Sequence, residues 1–262
     1  MYFMKVLYAE HLKSKRTILK KIPFVLAFVI VGFILFVFRS SDKNEIVMNS
    51  GNYWITISAM IAPILIGILA GITGEQEQEA GNYQIIRKST HRGMNFLAKA
   101  MYLIGILTFF VVFSMLLLYV SIWCIYKPEN YTLIPALKTT LIFIVGSLFL
   151  VPFQLWISIY LGMGASIGIG ILGTIFVSYI SSFPMLEEQL WRVIPWIWTL
   201  KTTTLYFENI SLSVQGVNLP LDLAIQFVSF VLLLLSKLLY NLRIFFCSDS
   251  HNSSEWCFRH YP

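Results

Sequence analysis

Six long apolar runs, separated by polar connections, set the pattern of this chain. Ile22–Phe38 is short, at the lower limit of about 17 residues for a helix that crosses a bilayer. Tyr53–Ile72 follows, with Pro63 and several small residues inside it. Met101–Tyr126, Leu141–Leu161 with Pro152, the Gly-rich run Ala165–Ile180 and Leu221–Tyr240 complete the set. None alternates apolar and polar residues as a membrane β-strand does. Backbone polar groups in lipid must be bonded within their own segment, so the pattern predicts six transmembrane helices in an all-α integral membrane protein. Gly162, Gly164, Gly168, Gly170 and Gly173 read in two ways. They form either a tight interface between the fourth and fifth helices or a turn followed by a loosely packed helix.

Ahead of the first span, residues 1–21 carry Lys5, Lys13, Lys15, Arg16, Lys20 and Lys21, with Glu10 the only acid. Phe3, Val6, Leu7, Leu12, Ile18 and Leu19 recur at roughly helical spacing. The expectation is an amphipathic interfacial helix lying at the lipid headgroups. With the N-terminus in the cytoplasm, six spans leave the C-terminus there as well. Basic residues on that side then outnumber those outside by roughly two to one, as the positive-inside rule requires. The chain thus divides into the basic helix 1–21, a membrane domain 22–243 and a polar tail 244–262, expected to be disordered.

Composition agrees with bilayer as the solvent. The 262 residues are 57% hydrophobic and 12% charged, against about a quarter charged in soluble domains. A net charge of +6 does not point to nucleic acid, because the cations flank apolar runs rather than line one face. Cys124, Cys247 and Cys257 make no disulfide framework. No span centre holds a clear charge, which argues against a proton relay. The chain has no phosphate-cradling G-x-x-x-x-G-K-[ST], no G-x-S-x-G and no HExxH. Glu187-Glu188-Gln-Leu-Trp-Arg192 matches the EExxxR opening of Abi/CAAX-type intramembrane proteases. The histidines that such chemistry needs are missing from later spans, because His251 and His260 both lie in the tail. Cys247, His251, Cys257 and His260 are zinc-competent types at a spacing that fits no known finger. The reading is therefore non-enzymatic, with no metal or cofactor on this chain.

Two polar segments carry the candidate function. Gly74–Ala100 lies between the second and third spans. Glu75 and Glu79 are four apart and share a helical face, while Glu77 points elsewhere. Gly81 and Asn82 interrupt, and Arg87, Lys88, His91, Arg92 and Lys99 follow. This is either an ordinary hydrated connection or a surface for a soluble partner. The outer segment Ser181–Pro220 contains Trp191, Trp196 and Trp198, suited to the membrane–water interface. These tryptophans are either anchors or a rim that touches an amphipathic substrate.

Together, these features resemble an ABC-2-type transporter permease over about residues 1–243. The resemblance is sharpest at Glu77, Glu79-Ala80-Gly81, Ile86, Ser89-Thr90-His91-Arg92 and Ala98-Lys99, although the proline usual in that pattern is absent. The start Tyr8-Ala-Glu10-His-Leu-Lys13-Ser-Lys15-Arg16-Thr17, then Ile22-Pro23-Phe24, and the stretch Trp191–Trp198 are similar to lantibiotic-immunity permeases of the MutG and MutE type.

The resemblance implies a bacterial plasma-membrane subunit that pairs with a second six-helix permease, identical or different. Both would sit on a cytoplasmic ATPase that holds ATP and Mg. Glu75, Glu77, Glu79, Gly81, Asn82, Arg87, Arg92 and Lys99 would form the contact with the ATPase. Of these, Arg87, Arg92 and Lys99 would pair with its acidic groups or with lipid phosphates. The implied substrate is an amphipathic antimicrobial peptide, expelled to protect its producer. A bacitracin-like drug, a lipid or a polymer is the alternative cargo.

Overall fold

The computed structural model describes residues 2–14, 17–40, 43–80, 92–128, 133–183, 185 and 194–212. These are almost entirely helical: α1 (Tyr2–Ser14), α2 (Lys21–Val37), α3 (Lys43–Glu79), α4 (Arg92–Tyr126), α5 (Leu133–Ser147), α6 (Leu150–Leu161), α7 (Met163–Ser181) and α8 (Pro195–Leu212). Short 3₁₀ turns at Ile18–Lys20 and Phe38–Ser40 flank α2. Among the described residues, five helical stretches are long and apolar enough to cross a membrane, with α5 and α6 counting as one. The sixth expected span, Leu221–Tyr240, and the tail lie outside the described residues.

Helix α3 is the centre of the bundle and packs on α2, α4, α6, α7 and α8. It runs unbroken through Pro63 for 37 residues. At ~1.5 Å per residue that is ~55 Å, well beyond a hydrocarbon core of ~30 Å. The 35 residues of α4 come to ~52 Å by the same rule. Both helices therefore project out of the apolar layer, and tilt absorbs only part of the excess. The expected span Tyr53–Ile72 is the apolar middle of α3, and Met101–Tyr126 is the apolar C-terminal part of α4. Each rod extends into the polar segment between them.

The largest contact of α3 is with α7, and small residues make it possible. A Cβ at Gly170 would lie 2.7 Å from the Pro63 carbonyl oxygen. One at Gly67 would lie 2.8 Å from the Ser166 carbonyl oxygen. Polar side chains then close onto the α3 backbone. Gln154 Nε2 donates to Pro63 O at 3.0 Å, Ser166 Oγ to Gly67 O at 3.0 Å, and Thr174 Oγ1 to Met60 O at 2.8 Å. On the opposite side Trp54 is fully buried, donates to Ser114 Oγ at 3.2 Å and tilts against Phe143.

The glycine run divides between the two readings left open for it. Gly162 has φ +87° and forms the one-residue turn from α6 to α7, a conformation that favours glycine. Gly170 packs on the second span rather than the fourth, and Gly173 receives the Trp196 ring. Gly164 and Gly168 face open space. The fourth span is not one rod. Pro152 has no N–H to give Leu148, so the chain turns at 148–149 and α6 restarts with the proline in its first turn.

In the segment expected to lie outside, α8 is a packed helix. Ile197, Trp198, Thr199, Leu200, Thr202 and Thr203 are buried, mainly against α5. The α5 surface admits it at Gly146, where a Cβ would lie 3.0 Å from Thr199 Cα. Thr202 and Thr203 satisfy their hydroxyls on the carbonyls of Trp198 and Thr199, four residues back, so their burial leaves no free donor.

Gly170→Ala is expected to lower stability by about 1–3 kcal/mol through overpacking at Pro63. Gly168→Ala, which meets nothing, serves as the control. Thermal unfolding of the purified chain in mild detergent distinguishes the two, and equal melting temperatures would contradict this packing.

Candidate functional site

The polar chemistry gathers where α3 ends and α4 begins, with α1 laid across both. Glu10 and Lys13 come from α1, Glu77 from the last turn of α3, and Lys99 from the third turn of α4. Lys99 Nζ lies 2.6 Å from Glu10 Oε1 and 2.6 Å from Glu77 Oε1. Lys13 Nζ lies 2.7 Å from Glu77 Oε1 and 3.4 Å from Glu10 Oε1. The two carboxylates and two ammonium groups sum to zero charge. The side chains of Lys99, Glu77 and Glu10 are only 3%, 2% and 7% exposed, whereas Lys13 keeps 41%.

Burial decides what this cluster does. Each charge taken out of water costs several kcal/mol, and only close opposite charges repay it. Lys99 is repaid twice, by carboxylates from two different helices. Losing it would leave Glu10 and Glu77 to share Lys13 as their one remaining cation in the cluster. For Lys13, burial works against the charge, but the Glu77 hydrogen bond and the carboxylates of Glu10 and Glu77 outweigh it. Its pKa is held above the ordinary lysine value. A raised lysine pKa contributes stability that is full below the unfolded value and lost only as pH climbs through the folded one. This arm of the cluster therefore holds through the whole physiological range.

Further bonds keep α1 in place. Ser14 Oγ donates to His11 O at 2.9 Å, which leaves it to accept from the Tyr102 hydroxyl of α4. The His11 and Tyr102 rings meet edge to face at 6.3 Å. Beyond the helix end, Thr17 returns both its N–H and its hydroxyl to Ser14 O.

Of the residues expected to contact a partner, the structure separates two groups. Glu75 and Glu79 share the exposed face of the α3 tip, with Gln78 and Ala80 beside them. Glu77 turns the other way and is buried. Lys99, assigned with Arg87 and Arg92 to acidic groups of a partner or to lipid phosphates, instead spends its charge inside the chain. Glu77 and Lys99 are therefore positioned to set the angle of the tip rather than to touch a soluble protein. Arg92 opens α4. Its side chain, Gly81, Asn82 and Arg87 lie outside the described residues.

The outer tryptophans also turn inward. Trp198 packs on Phe149 with ring centroids 5.4 Å apart, and Trp196 on Phe153 at 5.8 Å. An exposed substrate rim at these two positions is not what the structure shows, and their apolar rings are used in helix packing instead. Trp191 lies outside the described residues, as do Glu187, Glu188 and Arg192 of the EExxxR pattern. Among the described residues no three His, Cys, Asp or Glu side chains gather as a metal site.

Comparison with known protein families, curated proteins and solved structures finds no match. In the ion cluster two carboxylates and two ammonium groups pair across three helices, and the second Glu77 oxygen, Oε2, is buried without a hydrogen-bond partner. The cluster joins α1, the end of α3 and the start of α4.

Lys99→Met should cost about 3 kcal/mol, because it leaves the buried carboxylates of Glu10 and Glu77 with only the half-exposed Lys13 between them. Adding Glu77→Gln to it should recover part of that loss. A double-mutant cycle by thermal unfolding in detergent measures the coupling, and additive effects would contradict a shared cluster.

Proposed function

We propose that this chain is the membrane permease subunit of an ABC-2-type exporter, driven by a separate cytoplasmic ATPase, and that its cargo is an antimicrobial peptide to which the cell must be immune. In this reading both chain ends are cytoplasmic, the sixth span is Leu221–Tyr240, and α1 lies at the inner headgroup layer. The observation that carries it is the α3 tip. A helix too long for the bilayer ends in two exposed carboxylates, Glu75 and Glu79, and the third, Glu77, is locked to α1 and α4.

The physical logic is that of a lever. A soluble motor can move membrane helices only through a contact that does not yield. Exposed acids on a rigid rod supply charge complementarity and register at little entropic cost. The buried cluster makes α1, α3 and α4 respond as one body, because parting them would leave unpaired charges in a dry site. A push at residues 75–80 then passes along α3, whose close glycine contact with α7 transmits displacement to the remainder of the bundle. The sequence resemblance falls on the same segment, which supports the permease reading independently of the geometry.

Glu79→Lys reverses the charge of the tip without touching the buried cluster. It is expected to abolish peptide resistance at least tenfold in minimum inhibitory concentration while membrane insertion and melting temperature stay unchanged. Normal resistance in that variant would sink the assignment. Resistance unaffected by the peptide but altered for a bacitracin-like drug would move the same machinery to the alternative cargo.

A further inference from the structure

A groove of about 1000 Å³ runs between α1, the start of α2 and the first half of the apolar part of α4. Leu7, Phe24, Val25, Met101, Ile106 and Phe109 line its length. Phe24, Val25, Met101 and Phe109 are each more than 40% exposed, so the groove opens on the outer face of the bundle and continues the surface that meets lipid. At Gly105 its floor is bare: a Cβ there would meet nothing within 4 Å.

One end of this groove is basic. His11, Lys20 and Lys21 line it. Lys20 Nζ lies 3.4 Å from His11 Nε2. Among the described residues neither Lys20 nor Lys21 has a carboxylate within ion-pair distance, because Glu10 and Glu77 are taken by Lys13 and Lys99. The site is thus an apolar groove whose basic end carries Lys20 and Lys21, with Lys20 in reach of His11 and neither lysine paired with a carboxylate among the described residues.

We infer that this groove binds an anionic bilayer phospholipid, with one acyl chain along α2 and α4 and the phosphate held by Lys20 and Lys21. The charge arrangement selects this occupant. Two lysines repel a cationic peptide, and a neutral lipid would leave them without a counter-charge. Lysines at the headgroup layer draw anionic lipids, while the apolar lining accepts the chain that a soluble phosphate lacks. The bound lipid would fill the gap between α1 and the bundle and so stabilise the body that carries the α3 tip. The inference rests on the membrane-spanning character of α2 and α4 and not on the transporter reading.

The test is a thermal-shift titration of the purified full chain in mixed micelles, with dioleoyl phosphatidylglycerol and dioleoyl phosphatidylcholine as probes. Ligand that binds only the folded state raises the melting temperature, and the shift grows with the logarithm of ligand concentration over its dissociation constant. Phosphatidylglycerol is expected to stabilise the protein at much lower mole fraction than phosphatidylcholine. Lys20→Ala with Lys21→Ala should weaken phosphatidylglycerol by roughly thirty-fold and remove most of the difference between the lipids. Gly105→Phe should fill the groove, leave the lipid-free melting temperature unchanged and abolish the shift. Equal response to both lipids in the unaltered chain would overturn the inference, as would a lipid preference that survives the double substitution. If Gly105→Phe instead lowers the lipid-free melting temperature, the groove is occupied by the chain's own residues and the inference also fails. No ATPase enters this measurement, so its failure is distinct from failure of the permease assignment.

Discussion

A lysine buried between two glutamates is the constraint on which this molecule turns. Lys99 is buried with its Nζ 2.6 Å from both Glu10 Oε1 and Glu77 Oε1, and removing either carboxylate takes away a close partner in a dry site. Those partners belong to α1 and α3, so their separation is fixed by an electrostatic condition rather than by shape alone. Lipid supplies little hydrophobic force between helices that meet in it, and packing and polar contacts must specify their arrangement. At the α3 tip the ion cluster provides that specification. Deeper in the bundle it comes from glycines that expose carbonyl oxygens and from Gln154, Ser166 and Thr174, which bond to them.

These two devices divide the work along one helix. The middle of α3 is held by close backbone approach to α7, which resists rotation because any Cβ at Gly67 or Gly170 would collide. Its end is held by charge. Between them the helix is fixed in both register and direction, so the exposed carboxylates of Glu75 and Glu79 stand at a defined place outside the apolar layer. A hydrated loop carrying the same residues would offer a partner the same charge and none of the position. That difference separates a coupling surface from an ordinary connection.

Much of this was legible from residue order, and the exceptions have physical causes. The first five apolar runs located helices long and apolar enough to cross a membrane, and the spacing of Glu75, Glu77 and Glu79 put one carboxylate on a different face from the other two. The true helix lengths were hidden because residues 43–52, 73–79 and 92–100 are polar where they leave the lipid, and hydropathy marks the bilayer rather than the helix. The Lys99–Glu10 pair joins residues 89 apart, and local spacing carries no signal for such a contact. The hint available was compositional: a single acid in a basic N-terminal helix and a lysine at a helix boundary. Trp196 and Trp198 looked like interfacial anchors because periodicity alone does not reveal that α8 presents them to α5 and α6. Pro152 falls in the first turn of a new helix while Pro63 lies inside an unbroken one, and an apolar run by itself does not distinguish the two.

The central claim is that the α3 tip engages a soluble motor, and the most direct test is purification of the intact chain from its native membranes in gentle detergent, with every co-purifying protein identified and its stoichiometry measured. The account predicts an ABC-type ATPase in amounts comparable to the chain itself. Absence of any ATPase, under conditions that keep a known ABC complex together, would contradict it.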